Sequence, residues 1–200
     1  MHDVMKIASA LAFCFAPTPA TALDFMGIRL GEAPTFAECK HFSYDKPAEY
    51  MKPGYGAQPV RPCWLARPAS GEDPRLGTLV IHADAEHWPK TIVTLTAITV
   101  DGRIEALVAA TRGELEQDEV LDGLKRKFGA PSRIATIPMH NAFAAEYRSI
   151  SAEWHLPDGR VEMDGMRGRR DAGQIMVITT SGDAIMSDIA RSTEDKKPVF

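Results

Sequence analysis

Apolar and polar residues alternate over long stretches of the chain, the pattern of β-strands with one buried and one solvated face. The clearest example is 145–156, whose apolar positions include Ile150, Ala152, Trp154 and Leu156. Six segments that alternate in this way, or are rich in β-branched residues, are bounded by turn-forming residues and are predicted as strands. They are 77–83, 91–100, 103–111, 145–156, 160–166 and 174–180, and a shorter strand is expected at 63–65.

Two of the predicted hairpins contain nearly the same five residues, DGRIE at 101–105 and DGRVE at 158–162. Asp-Gly between two alternating segments is a strong hairpin signal, because glycine adopts positive φ without steric cost. Gly102 and Gly159 are therefore both predicted to lie in such turns, and the Arg and Glu that follow each glycine are expected to point outward. A duplicated hairpin is the alternative explanation, but so short a match does not indicate a repeat.

The segment 113–131 has the period of an amphipathic helix instead. Its apolar stripe consists of Val120, Leu121, Leu124 and Phe128. Acidic residues lie early in the segment and three basic residues, at 125–127, lie late, which suits the helix dipole. Gly129 and Pro131 are the signals that end it. This helix is predicted to cover the sheet.

Two shorter helices are predicted elsewhere. Thr35 and Glu38 form a capping box, which predicts a short helix that carries Cys39, and a last helix is predicted at 182–191. Residues 46–74 contain too many prolines and glycines for a long helix. The chain is therefore predicted to be an α+β domain, with an antiparallel β-sheet of about five to six strands built from hairpins, one or two covering helices, and a disulfide-pinned amino-terminal segment.

The amino terminus has the order of regions expected of a secretory signal peptide. Lys6 precedes an apolar run and small residues follow at 20–22, so residues 1–22 are expected to be cleaved off. The run is too short to span a bilayer, and no membrane span is expected. Cys14 raises the alternative of a lipoprotein signal, but Phe13 directly before it does not fit that pattern.

Cleavage after residue 22 leaves two cysteines, Cys39 and Cys63. An even number of cysteines in an exported protein predicts a disulfide between them. The export signal and the cysteine count thus agree on an oxidising compartment, and the protein is expected to be periplasmic or secreted. Residues 23–191 are expected to form a single α+β domain, followed by a disordered tail at 192–200.

The composition narrows the classes of partner. The 200 residues include 23 Lys and Arg and 27 Asp and Glu, for a net charge of −4 at pH 7. A mildly acidic chain is a poor general binder of nucleic acid or anionic lipid. The sequence has neither a G-x-S-x-G nucleophile motif nor a Gly-rich phosphate loop, so its motifs favour a protein that is not an enzyme.

A metal site is the alternative that the sequence leaves open. His82, Asp84 and His87 are the tightest grouping of metal-ligand residue types, and a strand end followed by a loop could direct them at one ion. Under this alternative the protein binds zinc or copper, or is a metal-dependent hydrolase. The spacing matches no helix-borne zinc motif, however, and otherwise the three residues are solvated and no cofactor is expected.

The segment MRGRRDAG at 166–173 is the most distinctive candidate for recognition. It lies between two predicted strands and is expected to be an exposed, mobile loop that presents Arg167, Arg169 and Arg170. Guanidinium groups form bidentate bonds to carboxylates and are enriched at binding hot spots, although a solubilising hairpin tip is the alternative. The expected function is non-enzymatic protein binding outside the cytoplasm, as an inhibitor, immunity-like protein or envelope accessory factor.

Overall fold

The computed structural model describes residues 23–39, 62–67, 73–82, 89–140 and 146–194. The predicted signal peptide at 1–22 lies outside these ranges. The elements follow the chain as β1 (Asp24–Phe25), β2 (Ile28–Arg29), β3 (Cys63–Arg67), β4 (Leu76–His82), β5 (Ile92–Val100), β6 (Arg103–Thr111), a short 3-10 helix (Gly113–Leu115), α1 (Gln117–Phe128), β7 (Arg133–His140), β8 (Glu146–Leu156), β9 (Gly159–Arg169), β10 (Ala172–Thr179) and α2 (Thr180–Glu194).

Eight strands form one antiparallel sheet in the order β3-β4-β5-β6-β10-β9-β8-β7, and β1 pairs with β2 in a separate hairpin. The large sheet consists of two four-stranded meanders, β3 to β6 and β7 to β10, which pair along β6 and β10. The chain passes from one meander to the other through α1. The predicted α+β class is confirmed, but the predicted number of strands is too low.

The strand that the sequence pattern did not predict is β7, at one edge of the sheet. Its residues are exposed or half-buried throughout, and Ile134 and Ile137 are 50% and 48% exposed. These two isoleucines are three positions apart, so the segment lacks the two-residue period of a half-buried strand. A continuous ladder from Arg133 to His140 holds β7 against β8. Strand pairing rather than burial determines this element.

The helix α1 lies against one face of the sheet, as its apolar stripe predicted. Val120, Leu121 and Leu124 are buried in the main core. Trp154 of β8 belongs to the same core and is only 1% exposed. Its Nε1 donates a hydrogen bond to the carbonyl oxygen of Gly129, at the end of α1 (2.9 Å). A buried indole with a satisfied N–H thus connects the end of the helix to the sheet.

The two DGR stretches form different turns. Between β5 and β6, Asp101 (φ 50°) and Gly102 (φ 78°) are both left-handed, as predicted for an Asp-Gly hairpin. Between β8 and β9 the turn residues are 157–158, and Gly159 already pairs with Leu156 in the ladder. Gly159 does not have positive φ, so the prediction that it lies in the turn was wrong. A Cβ at Gly159 would lie 2.1 Å from the carbonyl oxygen of Ile178, so this glycine permits close approach of β10. The two turns also occupy different places in their meanders, which argues against a duplicated hairpin.

Glu105 is buried, although the charged residues after each Asp-Gly were expected to face solvent. It lies at a bulge in the β5–β6 pairing. Its carboxylate accepts hydrogen bonds from the hydroxyl groups of Thr179 and Ser181. The Thr179 hydroxyl oxygen also accepts a hydrogen bond from the backbone N–H of Gly182 (2.9 Å). The bulge therefore turns a carboxylate inward, where it holds the first turn of α2.

The helix α2 is longer than the predicted helix at 182–191 and includes the first residues of the predicted tail at 192–200; the rest of that tail lies outside the described residues. It begins on the face of the sheet opposite α1. Val161 of β9 is buried in the core that α1 covers. Its neighbour Arg160 therefore points to the other face of the sheet, where it forms an ion pair with Asp183 of α2 (2.7 Å). Neither helix in the described part of the chain combines the length and the apolar character that crossing a bilayer requires.

The predicted disulfide is confirmed, but residues 35–39, where a helix was predicted to carry it, are not helical. Cys39 and Cys63 are bonded, with their Cα atoms 5.1 Å apart. The N–H of Cys39 donates to the carbonyl oxygen of Trp64 (2.9 Å), and the N–H of Trp64 donates to that of Ala37 (3.1 Å). These bonds place residues 37–39 alongside β3. A short strand was predicted at 63–65, the first three residues of β3. Pairing with a distant strand thus overrides the local preference of the capping box at 34–39.

Candidate functional site

The segment predicted as an Arg-rich loop is the end of a hairpin, which we call the β9–β10 arm (residues 165–173). Arg167 and Arg169 belong to strand β9, and Arg170 and Asp171 form the turn that precedes β10. The three arginines are exposed, as predicted. The prediction of a loop was wrong at Arg167 and Arg169, because β9 extends to Arg169, which pairs with Ala172 of β10.

The arm leaves the sheet at a large bulge. β9 pairs with β10 regularly up to Asp164 and pairs again only at Arg169, so residues 165–168 lie opposite Gly173 alone. The ladder between β9 and β8 also extends no further than Asp164. Beyond Asp164, therefore, the arm has no ladder to β8 and only interrupted pairing with β10.

Gln117, the first residue of α1, bonds to the β8 backbone near the base of the arm. It is 2% exposed; its Nε2 donates to the carbonyl oxygen of Arg148 and its Oε1 accepts from the N–H of Ile150, both at 2.9 Å. The hydroxyl oxygen of Ser149 accepts a hydrogen bond from the N–H of Met166 (3.1 Å). Side chains thus replace the missing ladder and satisfy buried backbone groups.

Two of the arm's arginines have partners within the arm or directly beside it. Arg167 donates a hydrogen bond to the side-chain oxygen of Gln174. Nη2 of Arg169 lies 2.6 Å from a carboxylate oxygen of Asp171, and Nε lies 3.0 Å from the other. This bidentate contact lowers the pKa of Asp171 and raises the pKa of Arg169. Both guanidinium groups nevertheless remain exposed.

Arg170, at the tip of the arm, is fixed through its backbone as well as its side chain. Its carbonyl oxygen accepts a hydrogen bond from the N–H of Glu114 (2.9 Å). A Cβ at Gly113 would lie 2.2 Å from the same oxygen, so this approach requires glycine. The Arg170 guanidinium also pairs with the Glu114 carboxylate, and this contact raises the pKa of Arg170. The same guanidinium lies 5.6 Å from the centre of the Tyr147 ring.

Two arginines that the sequence pattern did not single out also form ion pairs with carboxylates at the start of α1 or just before it. Nη1 of Arg112, after β6, lies 3.3 Å from the Glu116 carboxylate, and Nη2 of Arg148, on β8, lies 2.9 Å from that of Asp118. With the arm they form the arginine cluster, which consists of Arg112, Arg148, Arg167, Arg169 and Arg170. The Arg112–Glu116 pair is local in sequence, whereas Arg148 is 30 residues from Asp118. Arg112 lies beside the arm because Thr111 pairs with Gly173, and spacing along the chain does not indicate this.

The predicted metal site is only partly within the described residues. His82 ends β4, where it pairs with Cys63 of β3, and burial lowers the pKa of its imidazole. Asp84 and His87 lie outside the described residues. Among the side chains that the structure does describe, no three His, Cys, Asp or Glu residues are arranged to hold a metal ion. The site at these three residues stays a prediction.

No protein-family model, curated protein or solved structure matches this chain. An architecture of this kind does not by itself indicate an activity, because one fold supports many functions. The functional argument therefore rests on the geometry of the chain's own residues.

Proposed function

We propose that the protein is an exported, non-enzymatic binding domain that contacts an acidic segment of a partner protein through the β9–β10 arm. An inhibitor, an immunity-like protein or an envelope accessory factor would act in this way. The observation that carries the proposal is the arginine cluster, in which five exposed arginines adjoin one end of the sheet and one of them lies over Tyr147. Arg and Tyr are the residue types most enriched at binding hot spots, together with Trp.

The internal partners of these arginines leave them able to bind another carboxylate. In the four ion pairs of the cluster, the arginine side chains are between 56% and 75% exposed. Ion pairs this exposed contribute little to stability, because water screens them. A partner carboxylate that excludes water would form stronger, charge-assisted bonds with the same groups. Exchanging partners therefore costs the domain little.

The backbone of the arm is ordered before a partner arrives. The Glu114 to Arg170 hydrogen bond fixes its tip, and Ser149 binds its base through the N–H of Met166. Side chains carried on an ordered hairpin lose less conformational entropy on binding than those of a flexible loop. This supports recognition by the arm more strongly than exposure of the arginines alone.

Two features support an exported location. The signal-like order of residues 1–22 is the first. The second is the Cys39–Cys63 disulfide, since such bonds persist in oxidising compartments and are rare in the cytosol.

Affinity capture from envelope extract, followed by mass spectrometry, tests the proposal. The arm variant replaces three residues with glutamate: Arg167, Arg169 and Arg170. The control variant makes the same change of charge at three exposed arginines elsewhere: Arg29, Arg67 and Arg191. We expect the wild type and the control to recover the same partner and the arm variant to lose it. Equal recovery by all three proteins would contradict the proposal.

Metal binding at His82, Asp84 and His87 stays the alternative. Burial lowers the pKa of His82, which favours the neutral imidazole that binds zinc or copper. Under this alternative, protein purified without a His-tag contains stoichiometric metal by mass spectrometry, and changing His82 and His87 together to alanine removes it. Metal-free protein from zinc- and copper-supplemented cultures would eliminate this alternative.

A further inference from the structure

A cleft of about 330 Å³ opens between α1, the β1–β2 hairpin and the residues around the start of β5. Its apolar lining includes Phe25, Met26, Ile92, Leu124 and Ile175. The volume lies at the lower end of the range for small-molecule sites, about 300–1,000 Å³. The cleft therefore has the size and lining of a site for a small ligand.

One wall of the cleft contains a residue in an unfavourable backbone conformation. Met26 has φ 56°, in the left-handed region, and is followed by Gly27 with φ 76°. Hairpin turns of this kind prefer Asn, Asp or Gly, and methionine gives the backbone no advantage there. The Met26 side chain instead packs against the core and lines the cleft. Strain at a lining residue points to a role for the cleft.

The opposite wall contains a glycine that packing does not require. Gly123 lies in the interior of α1, where glycine destabilises a helix relative to alanine. A Cβ at this position would have only Nη2 of Arg126 within 4 Å, at 3.8 Å. Alanine would therefore fit without steric cost. The glycine keeps this wall open, which is useful where a ligand approaches the helix backbone.

The rim of the cleft includes a positively charged side chain that is available to a ligand. Arg126 and Lys127 both line it, but Lys127 is engaged, with its Nζ 2.9 Å from the Asp24 carboxylate and 5.5 Å from the centre of the Phe128 ring. Arg126 forms no ion pair with any residue that the structure describes. Glu119 also lines the cleft, which restricts a bound anion to the Arg126 side. The charge and the lining together suit an apolar molecule with one anionic group.

We propose that this cleft binds a small amphipathic anion, a single apolar chain that carries a carboxylate, as in a medium-chain fatty acid. The chain contacts Met26, Leu124 and Ile175, and the carboxylate binds the Arg126 guanidinium at the rim. None of these residues belongs to the arginine cluster, so this site and the proposed partner-binding arm can be tested separately.

Calorimetric titration of the full-length protein with sodium octanoate and with 1-octanol tests the proposal. The two probes share one apolar chain and differ in charge. Octanoate is expected to bind at one site, and octanol about tenfold more weakly, as for the loss of one charge-assisted hydrogen bond. Arg126→Gln should weaken octanoate binding by about the same factor and leave octanol binding unchanged.

Two variants of α1 separate cleft binding from general adsorption. Gly123→Leu places a side chain in the cleft and should abolish binding of both probes without lowering the melting temperature, because leucine favours the helix. Lys125→Gln is the matched control, one position from Arg126 but not part of the lining, and should bind octanoate like the wild type. Absent binding of both probes, or unchanged binding in Gly123→Leu, would overturn the site. Equal affinity for the two probes would overturn its anionic specificity.

Discussion

The two halves of β9 are continuous in sequence and differ in what holds them. Residues 159–164 pair with β8 on one side and β10 on the other, and they bury Val161 and Met163, which are 0% and 2% exposed. Residues 165–169 leave the β8 ladder, bulge away from β10 and end in exposed arginines. Burial and pairing on both sides hold the first half. In the second half Gly165 and Met166 are still buried, but side-chain hydrogen bonds replace the β8 ladder and residues 167–169 are exposed.

This difference separates residues that specify the fold from residues that can be used for recognition. A change in the buried half alters packing, because the interior is close-packed and tolerates little change of volume. A change at the exposed end of the arm alters charge and shape without disturbing the core. A rigid scaffold with adaptable residues at the ends of its strands is a common arrangement for binding.

The largest loss of stability is expected in the buried half. Trp154 pairs with Val161 across β8 and β9 and is almost fully enclosed. Trp154→Ala should lower the free energy of unfolding by about 3–5 kcal/mol, because it removes a large apolar surface and leaves a cavity. Urea denaturation measures this change. A loss below about 1 kcal/mol, the typical value for an arbitrary substitution, would show that this half is not the core that the burial indicates.

A loss of comparable or smaller size is expected at the disulfide, which holds its segment covalently where the arm is held by hydrogen bonds. Cys39→Ser should lower the free energy of unfolding by about 2–5 kcal/mol, the usual effect of removing a native disulfide from an exported domain. Thiol titration of the denatured, unreduced wild-type protein should find Cys39 and Cys63 oxidised. Free thiols at both positions in protein taken from the periplasm would contradict the pairing.

An intermediate effect is expected where the two halves of β9 meet. Gln117→Ala leaves the N–H of Ile150 and the carbonyl of Arg148 without their side-chain partner, at a cost of about 1–3 kcal/mol. Hydrogen exchange at Ile150 and Met166 should accelerate. Asp122→Ala, at an exposed position of the same helix, is the control and should leave both rates unchanged. Equal protection in the two variants would show that Gln117 does not fix the base of the arm.

Sequence patterns predicted the elements whose residues are buried on one face. β5 and β6 occur within a residue of their predicted bounds. In the predicted stripe of α1, Val120, Leu121 and Leu124 are buried and Phe128 is half-buried, because burial imposes the period that the pattern detects. β7 shows no such period, since neither of its faces is buried, and it was missed. The disulfide was predicted from the parity of the cysteines and not from geometry.

The incorrect expectations concern residues whose conformation depends on distant partners. The capping box at Thr35 does not start a helix, because its segment forms backbone hydrogen bonds with Trp64 instead. Gly159 is required by the close approach of β10 and not by a turn. The candidate site was predicted only where its residues are adjacent in sequence. Arg148 reaches Asp118 from 30 residues away along the chain, whereas Arg112 pairs locally with Glu116 and lies beside the arm because Thr111 of β6 pairs with Gly173 of β10. Local spacing does not encode either approach to the arm.

The smallest effect on stability is expected in the arm. Changing Arg167, Arg169 and Arg170 together to glutamate should leave the melting temperature nearly unchanged, because all three side chains are exposed and their ion pairs are screened by water. A melting curve measures this. A large decrease would show that the arm contributes to folding, and would remove the contrast between the two halves of β9.

The association rate of the arm variant with the captured partner, at two ionic strengths, tests most directly whether the arm serves recognition. We predict slower association than for the wild type, with the larger difference at low salt, where charges act over about 30 Å at 0.01 M instead of about 10 Å at 0.1 M. The control variant at Arg29, Arg67 and Arg191 should associate at a rate close to that of the wild type. If the arm variant melts normally and binds with unchanged rate and affinity, the arm is only a hairpin tip, and recognition belongs elsewhere, with the outer face of the sheet around Glu153 and His155 as the next candidate.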